Sequence, residues 1–289
     1  MPLIPRLFLA GALSLGAAGA AQAAKVDKVE IHGLDEAMTQ NVRVSLSLVD
    51  SIGKEVSGRR LGYLLREAEN ETREALEPFG YYSPTITVED SRGDRVATPA
   101  AGGADAPNAP GERDDAAGDA AAGEAAAAAP ARAASPPISV TINVDKGEPV
   151  KVRRSDIAIL GAGSDDRYLN QDLAAFRPGP DQVFDHAAYE ASKTKISRRL
   201  AERGYFDADF SSRRVAVTRA QHAADIDLVW TSGQRYDMGP ITFEQTPKRI
   251  IRDSLLQKLV YWEQGSYYHQ GKLDRFRESL ARLDRKSVV

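Results

Sequence analysis

The sequence contains no cysteine. That excludes disulfides, thiol catalysis, Cys-ligated zinc and a cysteine-linked lipid anchor. It leaves the compartment open, because an oxidising space permits disulfides without requiring them. Histidine is scarce too: His32, His186, His222 and His269 fall at strand ends, helix starts and turns, in none of the spacings that hold a metal. There is no G-x-S-x-G elbow, P-loop or Gly-rich dinucleotide loop, so neither a catalytic site nor a cofactor is expected. An excess of one charge is also missing: the net charge is −3. The basic pairs Arg59-Arg60, Arg153-Arg154, Arg198-Arg199 and Arg213-Arg214 are scattered as on solvated faces, not clustered in the stripe that nucleic acid needs.

The only apolar run of note is at the start. Arg6 supplies a charged n-region, Leu7 to Leu15 an apolar core, and Ala21-Gln22-Ala23 an A-x-A cleavage pattern. The run is too short and too Gly/Ala-rich for a spanning helix of about 20 apolar residues. Residues 1–23 are therefore read as a signal peptide, with a weak membrane anchor as the alternative, and the mature chain starts near Ala24.

Residues Arg92 to Pro136 hold 19 Ala, 6 Gly and 5 Pro, with no aromatic and Val96 as the one large aliphatic. Such a segment buries too little apolar surface to offset its ordering entropy and is expected to be disordered. It is flanked by Ile86-Thr-Val88 and by Ile138 to Val144, both alternating with period two as half-buried strands do. It is thus an insertion in a hairpin, within one domain.

With the insertion set aside, an internal repeat emerges. Unit one has a strand (Lys28–Ile31), a helix carrying Met38, Val42, Leu46 and Val49, and a second helix from Leu61 to Phe79 that Pro78 ends or kinks near Gly80-Tyr81-Tyr82. Unit two repeats the order: a strand at Ile157–Leu160, a helix capped near Asp165-Asp166, a helix with Tyr189, Ile196 and Leu200 ending at Gly204-Tyr205-Phe206, then strands around Val215 and Val217 and around Ile226, Leu228 and Trp230. Unit three opens with a strand at Pro240–Phe243. Helices follow through Ile250, Ile251, Leu255, Leu256 and Leu259, and through Leu273, Phe276, Leu280 and Leu283. Gly80 and Gly204 are read as structural helix caps, in the left-handed conformation that closes a helix. The aromatic patch Tyr261-Trp262 and Tyr267-Tyr268 is read as loop packing between units.

These residues carry a resemblance. Leu76-Glu-Pro-Phe-Gly-Tyr-Tyr-Ser-Pro-Thr-Ile86, Gly204-Tyr-Phe, Asp225 to Trp230, Ser232 to Phe243 and the helix ending Leu259-Val-Tyr-Trp262 resemble the POTRA modules of TamA-type outer-membrane assembly factors in the BamA/TamA superfamily, over about Val26 to Leu283. The resemblance implies an α+β fold of tandem β-α-α-β-β POTRA modules, each a three-stranded mixed sheet under two helices. The expected order is POTRA 1 over 24–146 with the disordered insertion 92–136, POTRA 2 over 147–232, and a partial, truncated POTRA 3 over 233–283. The last six residues, Asp284-Arg-Lys-Ser-Val-Val289, back-translate as GATCGGAAGAGCGTCGTG, a common sequencing-adapter sequence, and are read as a sequencing artefact.

The resemblance also implies what the chain does. It would be the periplasmic region of an outer-membrane protein and autotransporter assembly factor, attached to the outer membrane through a C-terminal barrel missing here. It would bind unfolded outer-membrane clients, and a TamB-like partner through the first module, by β-augmentation. No enzymatic activity and no nucleic-acid partner are expected. The alternatives are a barrel-less periplasmic scaffold or adaptor, and the POTRA region of a BamA or two-partner secretion transporter. The family topology puts the last strand of each module, here around Ile226 to Trp230, in the centre. The strand at roughly Ala208 to Thr218 then lies at the edge, and its Arg213, Arg214, Val215 and Val217 are the candidate binding residues.

Overall fold

The computed structural model describes residues 23–93, 95–96 and 137–286. The expected signal peptide, apart from Ala23, lies outside the described residues; so does most of the expected insertion, where only Arg92, Gly93, Arg95 and Val96 are described. The fold is α+β, in mixed sheets with helices. In chain order the elements are β1 (Ala23–His32), α1 (Glu36–Ser45), β2 (Glu55–Ser57), α2 (Gly58–Leu76), β3 (Thr85–Asp90), β4 (Arg95–Val96), β5 (Ile138–Asp145), β6 (Lys151–Leu160), α3 (Arg167–Ala174), α4 (His186–Glu202), β7 (Asp209–Thr218), β8 (Ala223–Thr231), α5 (Asp253–Lys258) and α6 (Gln270–Lys286). They divide into two compact units. The first takes in β1, Leu46–Asn70 and Thr87–Asn143; the second takes in Gly33–Ser45, Glu71–Ile86 and the chain from Val144.

The first unit holds a sheet of order β2-β1-β5-β3-β4, with β1 and β5 parallel. The three strands expected are β1, β5 and β3; β2 and β4 add three and two residues at the flanks. β2 was not legible because it needs β1 to begin at Ala23, five residues before the expected start: Ala23–Lys25 pair with Ser57–Glu55. Val26, Val29, Val140 and Ile142 fill the buried side, together with Leu61, Leu64, Leu65 and Ala68 of α2.

In the second unit the sheet order is β6-β8-β7. β8 alternates buried Ile226, Leu228 and Trp230 with half-buried Asp225, Asp227 and Val229, as a central strand with one covered face does. Its buried side joins Tyr189, Ile196 and Leu200, a single stripe of α4, and Leu169 of α3 in one core. Both helices start on side-chain caps. Asp166 accepts from the Tyr168 amide at 3.0 Å and Asp185 from the Ala188 amide at 2.8 Å, each satisfying an orphan donor.

The chain after β8 departs from expectation. Pro240–Phe243 forms no strand. The equivalent strand β6 is held by β8, whereas Pro240–Phe243 has no ladder partner among the described residues. The helix expected through Ile250 and Ile251 starts only at Asp253, because the Gln245 side chain holds those two residues in a turn. Its Oε1 accepts from the Ile250 and Ile251 amides at 3.0 and 2.9 Å, and its Nε2 donates to the Ile251 carbonyl at 2.7 Å. α6 continues through Lys286, and 287–289 lie outside the described residues.

Candidate strand-docking edge

β7 has a ladder partner on one side only among the described residues, which makes it an edge strand carrying Arg213, Arg214, Val215 and Val217. β6 is the other edge of this sheet, but its start is covered: the Val152 amide donates to the Gln182 carbonyl and the Asp181 amide to the Val152 carbonyl, both at 2.8 Å. β7 spans ten residues and turns into β8 through a 3-10 turn at Arg219–Gln221 closed by His222 at φ +46°.

The two faces of β7 differ. Val215 and Val217 are half-buried against the core below, opposite Ile226 and Ala224 of β8. Phe210 joins them, its ring 5.2 Å from that of Trp230, whose indole N–H donates to Ser197 Oγ on α4 at 3.1 Å. Phe210 reaches this side because Ser211 is an extra residue, a β-bulge between the pairs Phe210–Trp230 and Ser212–Val229. Bulges bend and twist an edge and limit indiscriminate pairing. Arg213 shares the helix-covered side, opposite Leu228, and swings its guanidinium over the Phe210 ring at 5.4 Å. Arg214 faces the other way, opposite Asp227.

On that open face the charges are sorted. Arg153 bonds Asp225 and Gln221, and its hydrogen bond, with the added pull of the Arg154 and Arg214 charges, holds the Asp225 carboxyl below the usual carboxylate range. Asp227 takes the Ser212 hydroxyl at 2.8 Å.

Gly80 and Gly204 lie elsewhere, at two turns built alike. Gly80 (φ +87°) ends the 3-10 turn after α2, and Gly204 (φ +88°) follows α4. The Gly80 carbonyl accepts from the Val150 amide and the Val150 carbonyl from the Phe184 amide, both at 2.8 Å. The Gly204 carbonyl accepts from Tyr236 at 2.8 Å and the Tyr236 carbonyl from Tyr268 at 3.0 Å. A Cβ on Gly80 would stand 2.8 Å from Val183 Cγ1, and one on Gly204 would stand 2.8 Å from Tyr268 Cβ. The glycines therefore serve close backbone docking as well as helix closure. Sequence reasoning missed that second role, although both glycines being followed by two aromatics was a sign of it.

The fillings of the two turns differ. At the first, the Tyr82 hydroxyl meets His186 Nε2 at 2.6 Å, and burial, reinforced by the Glu77 charge, pushes that phenol up to about 12. At the second, Phe206 packs on Tyr236 and Tyr268, and Arg235 stacks on Tyr267 while donating to the Arg203 carbonyl. The patch read as loop packing thus splits: Tyr268 packs at this turn, while Trp262 and Tyr261 contact Phe276 and Ser279 of α6. No group of metal-ligating side chains forms among the described residues.

Two family models match the chain: POTRA domain TamA domain 1 over residues 28–99, and POTRA, surface antigen variable number repeat, over residues 152–230. Together they cover just over half of its 289 residues. The chain belongs to the POTRA-domain region of the BamA/TamA superfamily. Both matches are to non-enzymatic POTRA domains, and no enzyme family is indicated. Similar solved structures include BamA POTRA3-5 of Haemophilus influenzae (18% identity, 93% of this chain and 88% of that one, TM-score 0.39). The N-terminal domain of Omp85 from Thermosynechococcus elongatus is another (13%, 91% and 86%, TM-score 0.30), as is POTRA1-3 of the periplasmic domain of Omp85 from Anabaena (11%, 90% and 86%, TM-score 0.32). The assignment rests on the family models. POTRA domains of this superfamily are periplasmic, and their role lies in outer-membrane protein assembly.

Proposed function

We propose that the β7 edge of the second POTRA module takes up extended segments of unfolded outer-membrane or autotransporter clients by β-augmentation, in the periplasm. The observation that carries this is a ten-residue edge strand, open on one side among the described residues, with an apolar helix-side rim of Phe210, Val215 and Val217. A strand added there gains main-chain hydrogen bonds from the edge and side-chain contacts from alternate residues. The match of residues 28–99 to the first TamA module supports a TamA-type assembly factor, in which that module meets a TamB-like partner and a barrel anchors the array to the outer membrane. The test is a photocrosslinking residue at exposed Ala216 on β7, with one at exposed Thr194 on α4 as control. Unfolded client should crosslink at Ala216 and not at Thr194. Equal or absent crosslinking at Ala216 would remove this function from β7.

A further inference from the structure

The arginines of the second module fall into two groups. Arg153, Arg154, Arg198, Arg199, Arg203 and Arg219 are each paired with a carboxylate. Arg167 stacks on Tyr168 and Arg177 donates to the Phe176 carbonyl. Arg213 and Arg214 are the remaining adjacent pair: both are exposed, both sit on the edge strand, and neither has an ion-pair partner among the described residues, Arg213 meeting only the Phe210 ring at 5.4 Å. For Arg214 the lack is specific. Its cross-strand neighbour is Asp227, which takes the Ser212 hydroxyl at 2.8 Å and forms no ion pair with Arg214.

Because successive side chains of a strand point to opposite faces, the two guanidinium groups flank the edge, Arg213 on the helix side and Arg214 on the open side. A strand laid beside β7 would place one residue opposite each. Opposite charges in such directly facing pairs are favourable and like charges unfavourable. The next positions on the helix side meet Val215 and Val217, where apolar residues fit. The bulge at Ser211 breaks the register on one side, so regular pairing is confined to Ser212–Thr218, and Asp209 lies beyond it.

We infer that β7 selects acidic strands: extended segments with two adjacent carboxylate side chains facing Arg213 and Arg214, and apolar residues facing Val215 and Val217. This rests on β7 being the client edge and adds which clients it prefers. The test uses the full chain with the crosslinker at Ala216 and three otherwise identical short apolar peptides carrying Glu-Glu, Gln-Gln or Lys-Lys at the centre. Glu-Glu should crosslink about five-fold more than Gln-Gln at low salt, with Lys-Lys weakest. The differences should shrink at about 1 M salt, where screening acts within roughly 3 Å. The Arg213→Glu/Arg214→Glu variant should reverse the order, and Arg213→Gln/Arg214→Gln should level it. Equal crosslinking of all three peptides to the parent would overturn the selectivity while leaving the edge in use. No crosslinking of any peptide at Ala216 would overturn both.

Discussion

The two POTRA modules carry the corresponding strand, β3 in the first and β7 in the second, and expose it differently. β3 has six residues, and Val88 and Glu89 are already paired on the outer side with Val96 and Arg95 of β4. β7 has ten residues and no outer partner among the described residues. Module one thus supplies a short strand of its own at the place where module two leaves backbone donors and acceptors for another chain. Covering an edge and leaving it open with charged side chains are two solutions to the same hazard, and only the second admits a partner.

If the two glycine-closed helix ends are built alike and the difference lies at the edges, equivalent truncations at those ends should cost alike. Leu76 and Leu200 are both buried four residues before a closing glycine. Leu76→Ala and Leu200→Ala should each destabilise their surroundings by about 2–5 kcal/mol. Hydrogen exchange, followed separately at each helix end, reads this, and a large cost at one with none at the other would break the equivalence.

The closing glycines come next in size. Gly80→Val and Gly204→Val each force a side chain into the left-handed region, at about 1–2 kcal/mol, and each also meets the docked segment. The Gly80 turn should suffer more, since Phe184 is buried there while Tyr236 at the second turn is 47% exposed. Equal losses in denaturant melts of the two variants would show that only the backbone conformation matters.

A smaller effect separates the modules in acid. Burial pushes the Asp166 carboxyl up, but its bonds to Arg203 and to the Tyr168 and Leu169 amides outweigh that and hold it low. A carboxyl whose folded pKa is depressed stabilises the fold above its unfolded value and stops doing so as pH falls through the folded one. Module two should therefore keep this contribution above about pH 4 and lose it below, and Asp166→Asn should flatten that part of the acid melt. An unchanged acid limb would contradict the assignment.

The smallest expected effect on stability is that of removing the Ala-rich segment. Arg92 should be retained, because its guanidinium bonds Asp90, whose side chain is fully buried. Deleting residues 94–136 should shift stability by no more than about 0.5 kcal/mol. It also removes β4, so a crosslinker on β3 should begin to capture client. A deletion that melts cooperatively but captures nothing at β3 would mean that cover alone does not explain the difference between the edges.

Much of this was readable from the residues. The alternation of Ile226, Leu228 and Trp230, the α4 stripe and the Asp166 cap are local patterns whose period or chemistry fixes the structure. The bulges at Arg153 and Ser211 were not readable, because an extra residue in a ladder is defined by its partner's register. The Pro240–Phe243 segment alternates like a strand, yet a strand forms only where another pairs with it. The spare pair of arginines could not be seen either, since a missing ion pair shows only once the cross-strand partners are known: Arg213 lies opposite Leu228, and Arg214 opposite an Asp227 that takes the Ser212 hydroxyl.

The central claim, that β7 is the working edge, is tested most directly by Val215→Pro. Proline removes one backbone donor and distorts the strand, while the helices and β8 that form the core stay in place. With circular dichroism showing the variant folded, crosslinking of unfolded client along β7 should fall at least several-fold, while Pro at Thr87 of β3 should leave it unchanged. A folded Val215→Pro protein that captures client as well as the parent would contradict the account.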